Sequence, residues 1–315
     1  MNQFCHGALR LAGLLSLSSI LALAQTTVGR PGAINYVEGD VTLNGGALNA
    51  KSVGSTEVAP GQTLRTGQGK AEILLTPGVF VRLDDHSSLQ MVSPALTDTE
   101  VQLTSGRAMV EVDQVLKENH LAVIDSGFST TLEKTGLYRF QASPAMVAVY
   151  DGKAETRVDD RNIEVGKGKQ LALIAGVRKP VKFDGAKTGE LYAWSKLRSS
   201  YMAEANAASA QTIFGDNPYW YYGTGWYWNP WFDSWAFVPG AGYLYSPFGF
   251  GFYSPAFGYY GGFYGGYGYP YRGFRGTARV GGFRASPGPA FRGNGGFHGG
   301  GFGGGFHGGG FGGHR

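Results

Sequence analysis

From Ala33 onward, apolar residues alternate with polar ones in short runs, and each run closes on Gly, Asn or Asp. Ile34–Val37 passes through Glu38-Gly39-Asp40 into Val41–Leu43, and then into Asn44-Gly45-Gly46. Strict alternation sends successive side chains to opposite faces of an extended strand. Asn-Gly and Asp-Gly accept the positive φ that tight hairpin turns require. Further strands read at Gln62–Thr66, Ala71–Thr76, Val79–Leu83, Val101–Leu103 and Ala108–Val112. The pattern continues at Leu121–Asp125, Leu137–Ala142, Val147–Tyr150 and Leu171–Ile174. Pro77-Gly78, Ser105-Gly106, Asp151-Gly152 and Gly166-Lys167-Gly168 stand between them as turn signals. Strands that recur about every 8–12 residues, with no helical period between, specify an all-β body. Sandwich, barrel and solenoid all satisfy this period.

One block within these runs carries a resemblance. Leu64-x-Thr66-Gly67 is followed by a strand, then Val81-Arg82-Leu83, then Ser87-Ser88-Leu89. Further on, Leu103-Thr104-Ser105-Gly106-Arg107-Ala108 and Val149-Tyr150-Asp151-Gly152-Lys153-Ala154 keep the same order. Over about residues 33–175 the chain resembles FecR domains. The resemblance implies an extracytoplasmic recognition module of stacked, twisted strands, solenoid-like before immunoglobulin-like, with no catalytic residues to carry over. Well-known FecR proteins add a cytoplasmic anti-sigma segment and a membrane helix, and their β domain receives a signal from an outer-membrane transporter. Here an apolar run, Leu11–Ala24, closes on Ala22-Leu23-Ala24 in their place. That is the pattern of a cleavable export signal over 1–24, cut after Ala24, and the run is too short for a comfortable span. The expected location is therefore periplasmic or secreted, and direct control of a sigma factor is not expected. The expected domains are a FecR-like β domain over 33–180 and an amphipathic helix over 186–213, with an aromatic extension over 215–260.

Composition narrows the chemistry. The sole cysteine, Cys5, lies in the signal, so disulfides, thiolate catalysis and Cys-based zinc sites are excluded from the mature chain. Residues 25–214 carry 20 basic against 21 acidic side chains with no basic cluster, so the body has no nucleic-acid footprint. Lys187-Thr188-Gly189 matches a penicillin-recognising triplet but has no Ser-x-x-Lys partner. Asp84-Asp85-His86 gathers potential ligands on what reads as a solvated turn, and His86 and His120 stand in no recognisable constellation. No cofactor or metal site is expected. The protein reads as no enzyme, although a pair of carboxylates acting on polysaccharide would leave no sequence signature.

From Glu190, Leu191, Trp194, Leu197, Tyr201, Met202 and Ala205 recur at threes and fours, the stripe of a helix that packs on the β body or on a partner. After Phe214 the material changes: 215–315 holds 32 of the 53 Gly and 32 of the 44 aromatic residues. Trp220, Trp226, Trp228, Trp231 and Trp235 concentrate in its first part, among segments that read as small aromatic hairpins. Such rings either pack on the body or form a stacking platform for sugars and other flat ligands. The remainder, 261–315, is isolated Phe, Arg and His on polyglycine. It cannot offset the ordering cost of its backbone and reads as disordered and self-associating. These features describe a non-enzymatic recognition or scaffold protein of the bacterial envelope, whose partner is an envelope protein or a cell-surface polysaccharide. The alternatives are a signal-relay component of a FecR-type system and a polysaccharide-active enzyme.

Overall fold

The computed structural model describes residues 29–116, 118–216 and 223–257. The signal segment, Trp220 and the 261–315 tail lie outside them. Among the described residues, fifteen strands form one sheet. The first eight are β1 (Ile34–Leu43), β2 (Gly46–Ala47), β3 (Thr63–Leu74), β4 (Val79–Leu83), β5 (Ser88–Ala95), β6 (Asp98–Ser105), β7 (Arg107–Val112) and β8 (His120–Asp125). There follow β9 (Phe128–Leu132), β10 (Gly136–Ala142), β11 (Ala145–Asp151), β12 (Lys153–Val158), β13 (Arg161–Gly166), β14 (Lys169–Ala172) and β15 (Val181–Lys182). Pairing is antiparallel except between β6 and β8.

The turn signals divide into two kinds. Pro77-Gly78 reverses the chain between β3 and β4, and Ser126-Gly127, both at positive φ, reverses it between β8 and β9. Ser105-Gly106 and Asp151-Gly152 do not reverse it. β5 and β4 lie end to end along β3, and β6 and β7 lie end to end along β5 and β4. β12 and β11 lie in the same way along β9 and β10, and β13 and β14 along β12 and β11. Each junction is therefore a bend in one long strand. Gly106 and Gly152 sit at such bends with φ of 76° and 94°. A Cβ on Gly106 would fall 2.2 Å from Ser87 Oγ, and one on Gly152 would fall 2.3 Å from Tyr138 Oη. Only glycine fits where creased strands approach so closely.

The bends line up as a crease, and the sheet folds over it into two arms. One arm holds β5, β6, β8, β9, β12 and β13; the other holds β4, β7, β10, β11, β14 and β15. β3 passes through both. A single apolar core lies between them. It includes Leu64, Leu103, Val123 and Val165 from the first arm and Val81, Val110, Phe140 and Val149 from the second. Each such side chain contributes about 1.5–3 kcal/mol on full burial. The architecture is thus all-β and sandwich-like, made by creasing one sheet rather than stacking two.

On the second arm both faces are buried. In β7, Ala108, Val110 and Val112 face the core, while Met109 and Glu111 point outward and are buried too. The cover is a helix, α1 (Glu190–Asp216), with two aromatic hairpins: β16 (Gly225–Asn229) with β17 (Ser234–Val238), and β18 (Tyr243–Tyr245) with β19 (Gly251–Tyr253). A single turn, α2 (Pro255–Phe257), closes the described chain.

Candidate functional site

Strand parity places Glu72 of β3, Arg82 of β4 and Glu111 of β7 together on the outward face of the second arm. Each of these side chains is fully buried. Arg82 Nε donates to Glu72 Oε2 at 2.7 Å, and Arg82 Nη1 donates to Glu111 Oε2. From α1, Arg198 Nη2 donates to Glu72 Oε1 at 2.9 Å, and Ser199 Oγ to Glu111 Oε1 at 2.6 Å. Asn35 of β1 donates to Glu72 Oε1 at 2.9 Å and accepts from the Trp235 backbone N–H at 2.8 Å. Two carboxylates and two guanidiniums balance, so the cluster joins β1, the second arm, α1 and β17 without net charge. A signal for it exists in the sequence: an Arg inside the apolar run Val79–Leu83, and a Glu inside each of two others.

The titration of this cluster follows from its geometry. Burial alone raises the Glu72 carboxyl, but Arg198 and Arg82 outweigh it and hold it down at about 2. Burial lowers Arg82, and Glu111 and Glu72 more than restore it. Asp113, just past β7, has neither carboxyl oxygen hydrogen-bonded among the described residues. Burial, then the nearby Glu111, push its carboxyl well above the ordinary value.

The polar face of the sheet decides how α1 lies. Ser195, Arg198, Ser199, Asn206 and Ser209 are buried together with Leu191, Met202 and Ala205. Leu197 and Tyr201, two members of the expected apolar stripe, are instead 50% and 45% exposed. Trp194 is half-buried beside them, with its ring 6.1 Å from that of Tyr36, and Arg198 lies 4.2 Å over Tyr36. Buried carboxylates need donors more than they need methyl groups, so the helix turns its donors inward and an aromatic–aliphatic patch outward.

Of the five tryptophans expected as a stacking platform, Trp220 lies outside the described residues. Trp226 is fully buried, its ring 4.9 Å from Phe80 and 5.6 Å from Phe237. Trp235 is buried with its ring 5.4 Å from that of the half-buried Trp228, and Trp228 in turn lies against Gly54. These three pack on the body. Trp231 stands apart on the β16–β17 turn, 87% exposed.

Asp84-Asp85-His86 does fall at a strand end, but Asp84 is buried, unlike the expected solvated turn. Its carboxylate meets Lys70 Nζ at 2.6 Å and Arg107 Nη2 at 2.7 Å, pinning the crease. His120 also finds partners the sequence did not foretell. Its Nδ1 is 2.8 Å from Asp98 Oδ1 and its Nε2 is 3.4 Å from Thr131 Oγ1. This row borders an open cleft of about 620 Å³. The row is a half-exposed polar ladder across β6, β8 and β9. Among the described residues, no group of three or more His, Cys, Asp or Glu is placed to hold a metal ion. No described helix is long and apolar enough to cross a membrane.

Comparison with known proteins gives a family match and a weak structural one. No curated protein matches the sequence. Two crystal structures, at 2.50 and 1.65 Å, of a provisionally assigned anti-sigma factor from Parabacteroides distasonis are similar. Each has 15% identity and a TM-score of 0.36, and the match covers 42% of this chain and 64% of that one. A likeness that thin fixes neither architecture nor partner. The model of the family described as FecR protein matches residues 62–155, from the start of β3 into β12, and these residues include Glu72, Arg82 and Glu111. The chain therefore carries a FecR segment, and its buried charges are completed by residues on either side of the match.

Proposed function

We propose that this chain is a non-enzymatic recognition and scaffold protein of the extracytoplasmic bacterial envelope. On this reading, the FecR segment is carried in a body that binds a protein partner through the outer side of α1. The observation that carries it is the orientation of that helix: its donors serve the buried carboxylates, leaving Leu197 and Tyr201 exposed beside Trp194. Anchoring side chains of this kind, aromatic and aliphatic on a rigid element, are what a recognition surface needs. The FecR match over 62–155 supports a second, narrower reading, a relay component of a FecR-type regulatory system that passes a signal to a membrane partner. A binding assay of the full mature chain with a detergent-solubilised envelope fraction tests the proposal. Leu197→Ser with Tyr201→Ser should lose a defined protein partner at unchanged thermal stability. Undiminished capture by that variant would contradict it. A partner that proves to be a transporter or membrane regulator favours relay.

A further inference from the structure

The β18–β19 hairpin and α2 carry a second aromatic surface, made of residues other than the tryptophans. Tyr243 and Tyr245 are 52% and 61% exposed, with ring centroids 5.7 Å apart. Tyr243 continues to Phe257 at 4.7 Å, and Phe257 lies parallel to Tyr253, with an interplanar angle of 6° at 5.9 Å. The four rings form a chain of contacts in which Tyr245 stands edge-on to Tyr243, with an interplanar angle of 83°, and Tyr243 is tilted 37° to Phe257. Their frame is fixed from below: the Asn206 side chain accepts from Tyr253 N at 2.8 Å and donates to Tyr253 O at 3.0 Å. The Ser254 backbone N–H donates to Gly242 O at 2.9 Å. The Tyr243 and Tyr245 hydroxyls have no hydrogen-bond partner among the described residues. No charged residue occurs between Asp233 and Arg272, so the row is electrically neutral.

We propose that this row is a binding platform for a neutral polysaccharide. Apolar faces of sugar rings pack on aromatic rings, and free phenolic hydroxyls serve the equatorial hydroxyls at the rim. A surface without charge gives no advantage to an acidic polymer or a basic peptide. Rigid mounting on Asn206 lowers the ordering cost of binding. The platform is distinct from the outer side of α1 and does not depend on the protein-partner reading.

The test is affinity electrophoresis of the full mature chain through gels containing hydroxyethyl cellulose, a neutral glucan, or alginate, an acidic one. Retardation by the neutral glucan is expected, with apparent affinity falling at least about tenfold in Tyr243→Ala with Tyr245→Ala. Tyr243→Phe with Tyr245→Phe should keep most of it. Leu197→Ser with Tyr201→Ser should leave it unchanged, which separates failure of this platform from failure of the α1 surface. Both tyrosines are exposed, so the thermal transition of the alanine variant should match that of the parent. Absence of retardation in both gels, retardation by alginate alone, or full retention in the alanine variant would each overturn the proposal.

Discussion

Arg82 lies between Glu72 and Glu111 with its side chain wholly buried, and the value of the pair is best seen by removing one partner. Arg82→Met leaves two carboxylates facing one another without water, and loss of one member of a buried ion pair costs about 3–5 kcal/mol. Urea unfolding should show a loss of that size; a loss under about 1 kcal/mol would mean the cluster is dispensable. Asp125 behaves differently. It is buried at the end of β8, accepts from Ser126 Oγ at 3.0 Å, and burial pushes its carboxyl up to about 6 against that hydroxyl. A carboxyl raised from about 4 in the unfolded chain binds its proton more tightly when folded. Stability from this group is therefore fully present below about pH 4 and is lost as pH rises to about 6. Asp125→Asn should stabilise the protein at pH 7 by roughly 2 kcal/mol and give no gain near pH 3.5. A pH-independent difference in thermal unfolding would contradict this. Single residues were the least legible level of the sequence. An Arg inside Val79–Leu83 and a Glu in each of two neighbouring strands are visible there. Their convergence depends on register, which no local pattern states.

At the scale of elements, periodicity was legible but orientation was not. The threes-and-fours stripe from Leu191 to Ala205 does mark a helix. The stripe is split because the sheet beneath offers carboxylates, so Arg198 and Ser199 face inward and Leu197 and Tyr201 face out. Turn signals show the same limit: glycine marks a positive φ, and a reversal and a crease both need one. Ser105-Gly106 and Asp151-Gly152 are creases. β12 has little sequence signal because Ala154 and Thr156 on its core side are small or polar, a weak alternation beside Lys153, Glu155 and Arg157. The aromatic hairpins divide their tryptophans by burial, and stability should follow. Trp226→Ala removes a ring packed between Phe80 and Phe237 and should cost about 3–5 kcal/mol. Trp231→Ala, on the exposed turn, should stay within about 0.5 kcal/mol of the parent. Comparable losses at both positions by chemical denaturation would refute this division.

At the scale of the molecule, the described residues present two unlike outer faces. The first arm turns Glu100, Gln102, Thr131, Glu155 and Arg157 outward, a polar and uncovered face among the described residues. The second arm is sealed by α1 and the hairpins through a charge cluster whose members come from inside and outside the FecR segment. Residues 62–155 are therefore not self-sufficient, because Glu72 and Glu111 depend on Asn35, Arg198 and Ser199 for part of their hydrogen bonding. The all-β class and the FecR segment were readable from strand period and motif order. The sealing of one arm was not, since it joins residues as far apart as Asn35 and Trp235. This asymmetry leads to the central claim that recognition runs through the outer side of α1. The most direct measurement is site-specific photo-crosslinking in intact envelopes, with the reactive residue at Tyr201 or, on the open arm, at Arg157. A discrete protein adduct from position 201 and none from position 157 is the expected result; adducts from 157 with none from 201 would contradict the claim.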